Sequence, residues 1–508
     1  VFAVAPKLRH DLEVADSGGY PMKARTWRLF LAVLALFALV AAGCSDDGES
    51  TGSDSGSDDK ESAEEATPVS EAIRVPQDHK TIQEAVDAAK EGDLILIDEG
   101  TYNEAVDVTT PYVTIRGVDR NKVILDGEFE LENGIRALDT PGVVVENMTA
   151  RNYIGNGFFW TGSDYHRGSY LTAYRNGDYG IYGFNSYHAQ YDHSLGSGSP
   201  DAGFYIGECF PCDAVIDNVI SEYNGLGYSG TNSGGDVYII NSVWRNNRAG
   251  IVPNSGSYEL CYPNRETTMA GNEVYDNNYL DGPGIDVSLI AQGNGILVTG
   301  AVTNTVTKNL VYDHDRTGIG LVPFPESDAN DVEPTADQWS TPCKETHDNP
   351  PQGIPADQCT EVALIGDGCV VMWNPRDNVV EGNEVSGSGV ADLAVGTVDL
   401  TGSGVTTASL NNCFSGNTFS TSAPADIENL APCDGTPTAT NWDAGPLDLL
   451  TLMGDMPPAP SKEAYQNTPV PEPQENMPDA TKAPAPRFKG PMKVDLAKIE
   501  IPKKTTEN

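Results

Sequence analysis

A glycine followed by an apolar residue recurs through the middle of this chain at Gly134-Ile135, Gly157-Phe158, Gly180-Ile181, Gly203-Phe204, Gly227-Tyr228, Gly250-Ile251, Gly295-Ile296 and Gly318-Ile319. The intervals are 23, 23, 23, 24, 23, 45 and 23 residues. Asn147-Met-Thr149, Asn218-Val-Ile220, Asn241-Ser-Val243, Asn272-Glu-Val274, Asn309-Leu-Val311 and Asn383-Glu-Val385 keep the same frame, each an asparagine two places before a β-branched residue. A repeat of this length means a solenoid or a propeller. Between Gly142 and Val398 the units are rich in Val, Ile, Tyr and Thr and broken by Gly, Asn, Asp and Ser, with no apolar run at helical spacing, so they are short strands and turns. One coil of three short strands fits about 23 residues. A propeller blade needs about 40, and the leucine ladder of a leucine-rich repeat is absent.

The expected fold is therefore all-β, a right-handed parallel β-helix solenoid of about ten coils over residues 72–440. Stacked coils bury the apolar residue after each glycine, and asparagines at one turn position stack as a hydrogen-bonded ladder. Solenoids need capped ends. Thr81-Ile-Gln-Glu84 reads as a capping box opening a helix over Thr81–Lys90, with Ile82, Ala85, Val86 and Ala89 as its apolar stripe.

The opening of this region reads Pro76-Gln-Asp-His-Lys-Thr-Ile-Gln-Glu-Ala-Val-Asp-Ala-Ala89, then Gly92-Asp-Leu-Ile-Leu-Ile97, Glu99-Gly-Thr-Tyr-Asn-Glu104 and Val113-Thr-Ile-Arg-Gly117. It resembles the start of pectin-lyase-like β-helix proteins, a superfamily holding pectate lyases, pectin methylesterases, alginate epimerases and copper-linked NosD-type periplasmic proteins. The resemblance covers about residues 73–432 and implies the fold; activity does not follow from a scaffold that hosts many functions.

The N-terminus reads as a targeting segment over residues 1–43, of which 1–21 read as an upstream, misassigned start. Met22-Lys-Ala-Arg-Thr-Trp-Arg28 is its basic region, Leu29–Val40 its apolar stretch, and Ala41-Ala-Gly-Cys44 resembles a lipobox, which implies lipid on Cys44. An uncleaved signal anchor is the alternative. Residues 44–71 form an acidic tether and 441–508 a Pro-rich tail with a basic end, from Lys482 through Arg487, Lys489, Lys493, Lys498, Lys503 and Lys504. The tail reads as extended or disordered, or else as docked on an anionic wall polymer or back on the acidic coil. Localisation at the cell surface or in the periplasm, lipid-anchored, follows. A formal net charge of −43 argues against nucleic acid, or a membrane surface beyond the anchor, as a partner. Nine cysteines less Cys44 leave an even set of eight, as in a disulfide-bonded exported chain. Short separations favour Cys209–Cys212, Cys343–Cys359 and Cys413–Cys433, leaving Cys261 for Cys369; a redox or zinc half-site at Cys209-Phe-Pro-Cys212 is the alternative.

If Asn147, Asn218 and Asn241 share a column, Tyr170 and His193 complete it, and His193 is a ladder residue rather than a metal ligand. Strand alternation then points Val143, Val145, Ala214, Ile216, Val237 and Ile239 inward. Outward stand Tyr165, His188, Asp213 and Asp236 five places before the ladder residue, Arg167 and Gln190 three before, and Glu146, Asp192 and Asp217 one before. Coils lie about 4.8 Å apart, so these groups share one face. Asp192, Asp213, Asp217 and Asp236 are candidate Ca²⁺ ligands that would bridge to a uronate and acidify its C5 proton. Arg167 and His188 are candidate base or charge stabiliser, and Tyr165 a candidate stacking platform or proton donor. This resembles the sites of β-helix polysaccharide lyases and epimerases, although no diagnostic motif of theirs matches. A solvated acidic sheet is the plain alternative. Tyr312-Asp-His-Asp315 aligns with Tyr275-Asp-Asn-Asn278 and reads as a turn, and a loop carrying Trp339 interrupts the coils between Val322 and Val362. The expected function is polysaccharide or wall-polymer binding with processing by a lyase or epimerase mechanism. The alternatives are a surface adhesion or envelope-structure protein and a NosD-like accessory of metalloenzyme maturation.

Overall fold

The computed structural model describes residues 67–505, apart from 257–258, 328–342, 344–359, 362–368, 400–403, 440–441, 443–446, 448, 450–451, 453–455 and 486. Cys44, Cys359, Trp339, the targeting segment and the tether up to residue 66 lie outside the described residues.

The coils build three parallel ladders. The first runs from Ile73–Val75 to Cys413–Ser415 and the second from Gly100–Tyr102 to Glu384–Ser386; together they make a 20-stranded sheet. The third is an 11-stranded sheet from Val106–Val108 to Ser422–Ala423. The glycine marker fixes this third ladder. Ile135, Phe158, Ile181, Phe204, Tyr228, Ile251, Ile296 and Ile319 pair coil to coil in one unbroken column, and all are buried. The glycines are required by close approach: a Cβ at Gly157 would lie 2.8 Å from the Gly180 carbonyl, and one at Gly250 2.4 Å from that of Gly295. The 45-residue step is no slip in register, because Ile251 pairs directly with Ile296 and the extra residues form a loop and the helix Asp286–Ala291.

In the first ladder Val143, Val145, Ala214, Ile216, Val237 and Ile239 all point into the core. The asparagine marker divides into two columns. Asn147, Tyr170, His193, Asn218 and Asn241 occupy one left-handed corner, with φ between 49° and 58°. Asn272, Asn309 and Asn383 stand one residue later and point inward, each donating from Nδ2 to a carbonyl of the coil before and to the next asparagine, ending at Asn417. In these coils Gly271, Lys308 and Gly382 take the left-handed corner instead. His314 continues a parallel stack of Asn224, Asn247 and Asn277, which confirms the turn reading of Tyr312–Asp315.

The cap helix spans Ile82–Ala88, with Thr81 Oγ1 accepting from Glu84 N–H at 3.1 Å. Glu104 adds a second cap, its carboxylate accepting from the N–H groups of Ile82 and Gln83 at 3.1 Å each. Disulfides Cys209–Cys212 and Cys413–Cys433 form as expected. The expected Cys343–Cys359 and Cys261–Cys369 pairings are corrected: Cys261 joins Cys343, with Cα atoms 4.4 Å apart. The reason is packing, since Leu260, Cys261, Tyr262, Cys343 and Trp373 form a small core of their own outside the solenoid.

The C-terminal tail is docked on the coil. Asn121 exchanges hydrogen bonds with the backbone of Gln474, Met477 N–H donates to Asn147, and Ala485 bridges to Thr67. The strand of chain then turns and runs forward along the outer face of the first ladder, where Met492 N–H donates to Gln190 Oε1 at 2.9 Å and Lys308 Nζ donates to the carbonyls of Leu496 and Ile499. Ile499, with Val494 and Leu496, covers Val215, Ile240 and Ala270. Outward apolar residues of a sheet need such a cover, and here the chain's own tail supplies it.

Candidate functional site

The outward charged face exists, but its groups are engaged with one another. Arg167 makes a two-pronged contact with Asp192 through Nε and Nη2, at 2.8 and 3.0 Å. Asp192, 1% exposed, also accepts from Ser169, Gln190 and His193. Burial favours the neutral acid, yet the hydrogen bonds from His193, Arg167 and Ser169 outweigh it and hold this carboxyl well below the usual carboxylate range. Burial likewise disfavours the Arg167 cation, and Asp192 reverses that, so Arg167 stays protonated and can stabilise charge but not act as a base. Tyr165 and His188 stack at 4.3 Å and 24°, and His188 Nδ1 meets Asp213 Oδ2 at 2.7 Å. His193 stacks on Tyr170 at 4.5 Å.

The four candidate Ca²⁺ ligands have no common centre. Asp192 and Asp217 are neighbours in one column, with Asp217 accepting from Asn241, while Asp213 and Asp236 sit at the opposite corner of the strand. Ca²⁺ takes six to eight oxygens. Among the described residues no three His, Cys, Asp or Glu side chains are grouped to hold a metal ion. These residues do not fit Ca²⁺, and the tail crosses the face at Gln190.

A different surface, missed from the sequence, combines aromatic rings with acids. Phe159, Tyr182 and Tyr205 pair across three coils on the outside of the third ladder. Their rings stack in sequence, at 4.9 Å and 3° and then at 4.7 Å and 13°. Phe184 extends the row beside Tyr182 at 5.9 Å. Tyr179 donates to Asp201 Oδ2 at 2.5 Å and Tyr205 to Glu259 at 2.6 Å, while Glu208 accepts from Leu260 N–H at 3.0 Å. Burial, with repulsion from Asp178, pushes the Asp201 carboxyl up to about 8. Burial pushes Asp178 to about 6 and Glu208 to about 7, and burial with repulsion from Glu208 raises Glu259 well above the carboxylate range. Asp201 and Glu259, held protonated near neutral pH beside an aromatic row, can donate hydrogen bonds to hydroxyl and carbonyl oxygens. The signal was in the repeat: the residue after each buried apolar marker is aromatic in three successive coils, Phe158-Phe159, Ile181-Tyr182 and Phe204-Tyr205.

The family model for the right-handed β-helix region matches residues 156–323. No curated protein matches the chain significantly. Among solved structures, the A-module of the mannuronan C-5 epimerase AlgE4 of Azotobacter vinelandii is 14% identical, over 66% of this chain and 90% of that one, at a TM-score of 0.43. The A-module of AlgE6 from the same organism is 15% identical, over 67% and 82%, at 0.45. An alginate lyase from Paenibacillus sp. str. FPU-7 is 17% identical, over 47% and 87%, at 0.31. With in-register parallel ladders continuing on both sides of the matched residues, the chain folds as a right-handed parallel β-helix.

Proposed function

We propose that this protein is an extracytoplasmic, lipid-anchored β-helix that binds a polysaccharide along the aromatic, acid-flanked outer face of its third ladder. The observation that carries this reading is the stacked row Phe159, Tyr182 and Tyr205, whose rings recur at the coil spacing with Asp178, Asp201, Glu208 and Glu259 beside it. Stacked face to face, the rings present their edges as an apolar strip along a rigid sheet, with Phe159 and Tyr182 half-buried and Tyr205 buried, and protonated carboxyls beside the strip suit sugar hydroxyls. The disulfides support an oxidising compartment.

The reading is tested by calorimetric titration of neutral and uronate-containing polysaccharides into the mature chain and its Tyr182→Ala variant. Binding should weaken about tenfold in the variant, the equivalent of about 1.4 kcal/mol. Binding that ignores Tyr182 would remove the aromatic row from the account. Following absorbance near 235 nm and proton NMR in the same mixtures separates an enzyme, which makes unsaturated or epimerised products, from an adhesin, which does not.

A further inference from the structure

A cavity of about 420 Å³ lies between the outer face of the first ladder and the docked tail. Sites for small molecules run from about 300 to 1,000 Å³. Its floor includes Arg116, Glu146 and Arg167, and its roof includes Arg487, Phe488 and Lys489. Four cations thus face one carboxylate, in a chain whose formal charge is −43. Three of the cations are held rigidly. Arg116 Nε pairs with Glu146 at 2.7 Å, Arg167 with Asp192, and Arg487 with Glu91 at 3.1 Å while lying over the Tyr112 ring at 3.4 Å. Two donors remain for a ligand. Arg167 Nη1 has only a 3.8 Å contact with Glu146, beyond hydrogen-bond reach, and Lys489 is exposed and makes no ion pair among the described residues. Phe488 and Val144 give the cavity an apolar wall.

We infer that this cavity is a binding site for a small organic anion, one carboxylate or phosphate on a body of sugar-ring size, held between Arg167 below and Lys489 above. It is separate from the aromatic row of the third ladder. Because the roof belongs to the tail, the anion binds only while the tail is docked, and by mass action its binding stabilises the docked state. An anion is recognised here by the Arg167 guanidinium, fixed by Asp192, and by the Lys489 ammonium, both charge-assisted donors.

The test uses the full chain with glucuronate, glucose 6-phosphate, inorganic phosphate and glucose as probes, read by calorimetry and by hydrogen exchange of residues 487–492. Saturable binding of glucuronate or glucose 6-phosphate is expected, with glucose silent, exchange at 487–492 slowed at least threefold, and affinity lowered at least tenfold in Lys489→Glu. Lys489 is exposed, so this variant folds, and near-UV circular dichroism verifies it. Glucuronate and glucose 6-phosphate tell a carboxylate ligand from a phosphate one. Inorganic phosphate binding as well as the sugar anions would overturn the sugar-sized body. Absence of saturation with every anion, affinity unchanged in Lys489→Glu, or unaltered exchange of the tail would each overturn the inference. Tyr182→Ala should leave anion affinity untouched, so failure of polysaccharide binding and failure of this site are told apart.

Discussion

Asn309 spends its whole side chain on its neighbours: Oδ1 accepts from the backbone and side-chain N–H groups of Asn272, and Nδ2 donates to the Met269 carbonyl and to Asn383. Asn309→Leu leaves buried donors of Asn272 without an acceptor, at about 1–3 kcal/mol for each. A loss of at least about 2 kcal/mol is expected in a urea titration. The sequence markers located these asparagines but merged them with Asn147, Asn218 and Asn241, because a shift of one residue turns a side chain from one face to the other and composition does not reveal it. Asp201 gives a pH prediction. Its carboxyl is raised to about 8 when folded against an ordinary value of 3.8, so between those values the folded chain holds the proton more tightly than the unfolded one. The contribution is complete below about pH 4 and lost as pH rises toward 8. Asp201→Asn should therefore shrink the fall in melting temperature between pH 5 and pH 8, and an unchanged profile would show that Asp201 does not titrate there.

Elements were legible where their cause is local. The cap helix follows from Thr81 and an apolar stripe, and the third ladder from a glycine that only a close approach requires. Docking of the tail on the coil is one of three readings the sequence allows, and it does not fix the partner of Cys261, since both depend on residues far apart in the chain: Arg116 donates to the carbonyls of Ala480 and Ala483, and Cys261 is 82 residues from Cys343. Non-reducing peptide mapping should recover Cys261 linked to Cys343. Removing Arg116 strands the buried Glu146 carboxylate and frees the tail together, so Arg116→Ala should cost about 3–5 kcal/mol and expose residues 480–484 to proteolysis. An Arg116→Ala chain as stable as the parent would mean that the tail does not depend on this arginine.

At the scale of the whole molecule, a formal charge of −43 acts against compactness, and added salt screens that repulsion. Melting temperature should rise between about 0.01 and 0.5 M NaCl, across which the screening length falls several-fold. The aromatic row was the part of the candidate site least legible in the sequence, because outward aromatic residues follow the same alternation as the charged columns, and charges on a sheet find each other before they find a ligand.

Solenoid coils ordinarily grip only their immediate neighbours, so a pull on one end peels them off singly. Here Met492, Leu496 and Thr505 fasten one length of chain to Gln190, Lys308 and Glu273 in turn. It works as a tendon along the stack: under tension the coils it spans share the load, and the force trace should show one large rip where an untied solenoid would give a staircase.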